Sequence, residues 1–141
     1  MEKRTQELMV MLQSDGCSLE EYLQENQGEL LEMPLAQYLQ QLLETYQVNK
    51  GEVIHRSGLN QIYGYQIFAG RKAPGRDKLL ALCFGFPLEL TDAQRLLRLG
   101  GHSELYPRRR RDSALLLGLR EKLTTVEMDD LLYELGEQTL L

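Results

Sequence analysis

Apolar residues along this chain recur at the three- and four-residue intervals of helices, and no β-branched run alternates with polar positions. In "MPLAQYLQQLLETYQ", Leu35, Leu39, Leu42 and Leu43 share one face, and Pro34 stands where a helix would start. "NKGEVIHRSGL" opens on Asn49, a cap directed toward Glu52, and closes on Gly58, whose missing Cβ permits a left-handed exit. "NQIYGYQIFAG" comes next, capped by Asn60 and ending at Gly70. Beyond Pro74, "GRDKLLALCFGF" packs through Leu79, Leu80, Leu82 and Cys83. Three stretches carry the spacing of a capping box: "SLEEYLQENQ" (Ser18 to Glu21), "TDAQRLLRLGG" (Thr91 to Gln94) and "TTVEMDDLLYELGE" (Thr124 to Glu127). "RRRRDSALLLGLREKL" supplies another helix after Pro107. The pattern predicts an all-α chain of eight or nine short helices, with no internal repeat, low-complexity linker or evident hinge.

Length and composition narrow the picture. At 141 residues the chain suits one small domain with helical extensions, and 43% hydrophobic residues suffice for a core. No apolar run nears the roughly 20 residues that span a bilayer, and "MEKRTQELMVMLQSDG" lacks a secretory pattern. Cys17 and Cys83, unpaired by spacing, read as reduced thiols. A cytoplasmic protein without membrane contact is expected.

The net charge of −5 argues against a nucleic-acid partner until its distribution is considered. Residues 1–46 carry −7, residues 47–78 carry +4, residues 103–122 carry +3 and residues 123–141 carry −5. Two basic islands lie between acidic ends, and phosphate responds to local field rather than to net charge.

The first island coincides with a helix, a Gly-containing turn and a second helix, the form of a helix-turn-helix. A second helix standing out from the body can enter a major groove about 12 Å wide. Its leading residues are Gln61, Ile62, Tyr65 and Gln66: amides that pair bidentately with adenine, an aliphatic that meets a thymine methyl, and a phenol. Arg71 and Lys72 fall just past that helix, where a loop can grip phosphate, and Asn49 and Lys50 open the preceding one.

Residues 35–90 resemble the phage repressor and Cro-type helix-turn-helix family, the XRE-like regulators. "VNKGEVIHRSGLNQIYGYQIFAGRKAP" aligns with the family pattern without gaps, matching at Val48, Val53, Gly58, Leu59, Ile67, Gly70 and Pro74, and "DKLLALCFGFPLEL" matches the closing helix. "YGYQIF", "RDKLLAL" and "YPRRRRD" also look like small bacterial regulators of this kind with helices added at both ends. The resemblance implies a repressor-like five-helix domain over 34–90, an acidic helical extension over 1–33 and a helical extension over 91–141 packed on it. It puts base reading on Gln61, Ile62 and Gln66 and phosphate contact on Lys50, Arg71 and Lys72, and it implies a two-fold dimer on duplex DNA. The chain departs from the pattern at Lys50, which replaces a glutamine, and at Ser57, which replaces an apolar residue. Gly64 stands where a branched aliphatic is usual; a close approach to the preceding helix, with Tyr63 and Tyr65 over the gap, would account for it.

The second island, Arg108 to Arg111, sits near a helix start, where the macrodipole disfavours cations. Solvation, pairing with an acidic surface of this chain, of a second copy or of a partner, and DNA contact all remain open for it. Leu115, Leu116, Leu119, Leu131, Leu132, Leu135, Leu140 and Leu141 divide between core and dimer surface. For catalysis the signals are absent: His55 and His102 are far apart, Cys83 lies in an apolar helix, and there is no HExxH, Walker loop or nucleophile elbow. No enzyme activity, metal or cofactor is expected. The alternative to DNA binding is a helical adaptor that keeps the fold for protein contacts, with the acidic ends and the Arg108–Arg111 run as docking surfaces for a protein partner.

Overall fold

The computed structural model of the chain describes residues 5–13, 19 and 33–141. Among them are eight helices and no strand: α1 (Thr5–Gln13), α2 (Leu35–Tyr46), α3 (Lys50–Ser57), α4 (Gln61–Phe68), α5 (Arg76–Gly85), α6 (Leu90–Leu99), α7 (Arg110–Arg120) and α8 (Thr125–Glu134). The protein is all-α. It divides into two compact units, Met1–Glu32 with α1 and Met33–Leu141 with the other seven helices. The apolar pattern assigned no element over α1. The helix expected over "SLEEYLQENQ", its Ser18–Glu21 box and Cys17 lie outside the described residues.

In the larger unit α5 is the central element. Leu79 through Gly85 are all buried, so this helix is covered on every side, and it packs against α3, α6 and α8. Its closest neighbour is α3, and glycine makes that approach possible. A Cβ on Gly85 would lie 2.5 Å from the Val53 carbonyl oxygen and 3.1 Å from Ser57 Cβ. The same crowding accounts for Ser57, which is fully buried where an apolar side chain was expected. Its hydroxyl is satisfied locally, donating to Ile54 O (2.6 Å) and accepting from Leu59 N (3.2 Å). A larger side chain would collide with α5.

Residues 34–90 hold four complete helices rather than five; the fifth, α6, begins at Leu90 and packs on α2 and α5 through Ala93, Leu96 and Leu97. Asp92 joins it to α2, accepting from the hydroxyls of Tyr46 (2.6 Å) and Tyr38 (3.3 Å), while Tyr46 Oη accepts from Glu89 N (2.8 Å). Burial, reinforced by the Asp92 carboxylate, raises the Tyr38 hydroxyl to about 12 and that of Tyr46 higher still, so both donate as neutral phenols.

Local helix signals fared unevenly. The Thr124–Glu127 box forms in both directions, at 3.1 and 2.9 Å. The Thr91–Gln94 box does not: α6 is capped at Glu89, and Gln94 turns to the loop beyond, where its amide accepts from Leu105 N (2.7 Å) and donates to Leu105 O (3.0 Å). A loop without secondary structure needs partners for its backbone, and Gln94 provides two. α7 starts only at Arg110, with Arg109 as its N-cap, and Asp112 in its first turn supplies the anion that a helix start favours.

Candidate nucleic-acid interface

Two eight-residue helices, α3 and α4, are joined by Gly58, Leu59 and Asn60. Asn49 caps α3 by accepting from Glu52 N (3.3 Å), and Asn60 caps α4 by accepting from Tyr63 N (3.1 Å). Gly58, at φ 77°, takes the left-handed conformation that ends α3, and its N–H donates to His55 O (3.2 Å). Leu59 is buried and anchors the turn in the core.

α4 is two-faced. Gly64, Ile67 and Phe68 are buried. Gln61, Ile62 and Tyr65 are exposed, Ile62 to 70%, and Gln66 is half-buried. An aliphatic side chain so open to water gains nothing for folding, so this face is not explained by packing. The side-chain amides of Gln61 and Gln66 have no hydrogen-bond partner among the described residues. Gly64 is where α4 meets α3: a Cβ there would lie 2.5 Å from Ile54 Cγ2. Tyr63 packs against the core, and the Tyr65 hydroxyl reaches α3, 2.9 Å from the position of a Gly51 Cβ.

The helix ends in a Schellman turn, with Gly70 at φ 78° donating to Ile67 O (3.1 Å) and Arg71 N donating to Gln66 O (2.9 Å). The chain then leaves sharply, and Arg71 and Lys72 are exposed with no ion pair among the described residues. Lys50 is engaged differently. It is half-buried and its ammonium lies 5.9 Å from the centre of the Phe68 ring, so its charge is directed at the aromatic face. The side-chain oxygen of Asn49 is occupied by its capping bond, although the residue is exposed. Between the two helices a hollow of about 380 Å³ is lined by Gly51, Ile54, His55, Gly58, Leu59 and Gln61. His55 is exposed there, and Arg56 beside it pairs with Glu52 along α3.

One arginine of the second basic run, Arg111, is drawn into structure. Arg111 donates to Asp77 Oδ1 and to Gln138 O, each at 2.9 Å, and Arg110 approaches Glu137 at 3.9 Å. Arg108, Arg109 and Arg110 remain exposed. The Asp77 contact is half of a reciprocal arrangement. Arg76 grips the buried Asp112 with two bonds, 3.2 and 3.0 Å, so the Arg-Asp pair opening α5 and the Arg-Asp pair opening α7 exchange partners. Asp112 also accepts from Tyr106 N (2.9 Å). Burial alone would raise its pKa; the Arg76 bonds, the Tyr106 amide and the charges of Arg76 and Arg109 outweigh that and hold it below the ordinary value. The sequence carries no sign of this pairing beyond the repeated "RD".

Of the leucines divided between core and interface, Leu115, Leu119, Leu132 and Leu140 are buried, Leu116, Leu131 and Leu135 pack partly on the core, and Leu141 stays half-exposed. Cys83 is fully buried, which pushes its thiol up to about 12 and removes it as a nucleophile. Among the described residues no three His, Cys, Asp or Glu side chains gather as metal ligands, and no helix is long and apolar enough to cross a membrane. No family model, curated protein or solved structure matches the chain.

Proposed function

We propose that this protein is an XRE-like transcriptional regulator that binds duplex DNA with α4 in the major groove and controls transcription by occupying an operator. One observation carries the proposal: the outer face of α4 presents Gln61 and Ile62 to solvent with Tyr65 beside them, and is followed by Arg71 and Lys72, which form no ion pair among the described residues. Amides and an aliphatic read base edges; cations on the adjoining loop hold phosphate. Gln66, half-buried on the same helix, reads from the groove side of its turn, and Asn49 offers its remaining amide to the backbone. Lys50 contributes by its field from its seat on Phe68, a weaker role than a direct phosphate clamp. The protein is a binding protein and not an enzyme, and it needs no cofactor.

A single recognition helix reads few base pairs, so the regulator acts as a homodimer on half-sites about one helical turn apart. Arg108, Arg109 and Arg110, the exposed part of the second island, suit the dimer or partner contact better than the paired Arg111 does.

A second reading, a helical adaptor, is favoured by α8, where Val126 and Tyr133 are 69% and 79% exposed beside the exposed Asp130 and Glu134. Selection from a random duplex pool separates the two. A recovered motif, with salt-dependent binding well above a scrambled control, establishes the regulator, and inverted half-sites establish the dimer. On that site Gln66→Ala should relax sequence preference at one position, whereas Arg71→Ala should weaken all sequences and reduce the salt slope by about one. No enrichment, with binding lost by physiological salt, favours the adaptor.

A further inference from the structure

We infer that residues 137–141 form a strap that holds the α3–α4 turn, making Asp129 and Arg111 positioning residues for the outer face of α4. Gly136, at φ 73°, ends α8 and turns the chain back. The five residues beyond it are irregular in conformation but closely held. Both carboxylate oxygens of Asp129 accept backbone amides, Leu140 N at 2.6 Å and Leu141 N at 3.1 Å. Arg111 holds the other edge, donating to Gln138 O at 2.9 Å and Thr139 O at 3.5 Å, and its bond to Asp77 carries the attachment into α5.

These anchors seat Leu140 in the core at 3% exposure and deliver Leu141 to the turn. The Leu141 Cδ1 atom lies 2.6 Å from where a Gly58 Cβ would stand, so the leucine covers the outer side of the glycine that sets how α4 leaves α3. The turn itself is held by the Gly58–His55 bond, the Ser57 hydroxyl bond to Leu59 N, the buried Leu59 and the Asn60 cap on Tyr63 N. Leu141 adds a cover on the outer side of this three-residue turn, and its removal should let the turn open locally more often. The charge on Arg111 is therefore used inside the molecule, far along the chain from the helix whose direction it helps to maintain.

The strap stands independently of any ligand; its consequence for DNA readout rests on the proposed function. Amide hydrogen exchange on the full chain tests it without DNA, so its failure and the failure of that proposal are distinguishable. Leu141→Ala removes the contact and keeps the backbone anchors; Asp129→Asn weakens the anchors. Both should accelerate exchange at Gly58 and Leu59 by about tenfold while amides of α5 keep their rates, and Leu141→Met should restore the turn. Unchanged exchange at Gly58 and Leu59, with the amides of Leu140 and Leu141 exchanging faster in Asp129→Asn, would overturn the strap. Equal acceleration in the turn and in α5 would overturn it as well, since that is a general loss of stability.

Discussion

Arg71 and Lys72 stand in solvent with no ion pair among the described residues, whereas Arg111, from the denser basic run, is closed into contacts with Asp77, Gln138 and Thr139. From the sequence the run of four arginines was open between solvation, pairing with an acidic surface and DNA contact. The difference lies in what each stretch faces. The loop after α4 leaves the body at a Schellman turn, and no carboxylate among the described residues pairs with its cations. The start of α7 lies against α5, which offers the Asp77 carboxylate, and the residues after α8, which offer Glu137 and the carbonyls of Gln138 and Thr139. A cation becomes available to a ligand by lacking a partner, and density in sequence does not decide that.

The comparison breaks most visibly at Arg76. Arg76→Ala leaves the Asp112 carboxylate buried with only the Tyr106 amide, which should cost about 3 kcal/mol in chemical denaturation. A loss under about 1 kcal/mol would mean that the exchanged Arg-Asp pairs matter little and that the second island is as loosely held as the first. A smaller effect comes through pH. Because Asp112 titrates lower in the folded protein than its unfolded value of 3.8, its contribution is present above that value and is lost as pH falls through the folded pKa. Acid titration of stability should therefore steepen below pH 3.8, and Asp112→Asn should flatten that limb while lowering stability at neutral pH. The smallest change is expected at Arg71 and Lys72: alanine at either should alter the melting free energy by less than about 0.5 kcal/mol. A larger loss would show that these cations hold the fold, and the contrast would disappear.

How much of the fold and of the candidate site was legible in the chain depended on range in sequence. Asn49, Gly58, Asn60, Gly70 and the Thr124–Glu127 box act within a few residues of themselves, and their types alone state their roles. Gly64 was readable by its anomaly: a glycine inside a helix needs a neighbour, and Ile54 is that neighbour. Thr91 and Gln94 have the spacing of a box, yet Gln94 is claimed by Leu105, which no local rule encodes. The exchanged pairs join residues 34 and 36 positions apart, and the chain gives no sign of which acid meets which arginine. The outer residues of α4 were legible as a face because helical spacing sets which positions point together. Lys50 was not, because whether a lysine extends to solvent or lies over a ring depends on Phe68, one helix away.

The stretch between α6 and α7 invites cutting, since it is irregular, largely exposed and rich in arginine toward its end. Yet its middle is tethered residue by residue: His102 to Pro74 O, Ser103 O and Glu104 O to Arg76, Leu105 to Gln94, and Tyr106 N to Asp112. A protease must draw several residues into an extended strand before it can cleave, and here that would mean releasing the same arginine that neutralises a buried acid. Trypsin should consequently find Arg71 and Lys72, beside the candidate reading helix, well before it finds Arg108.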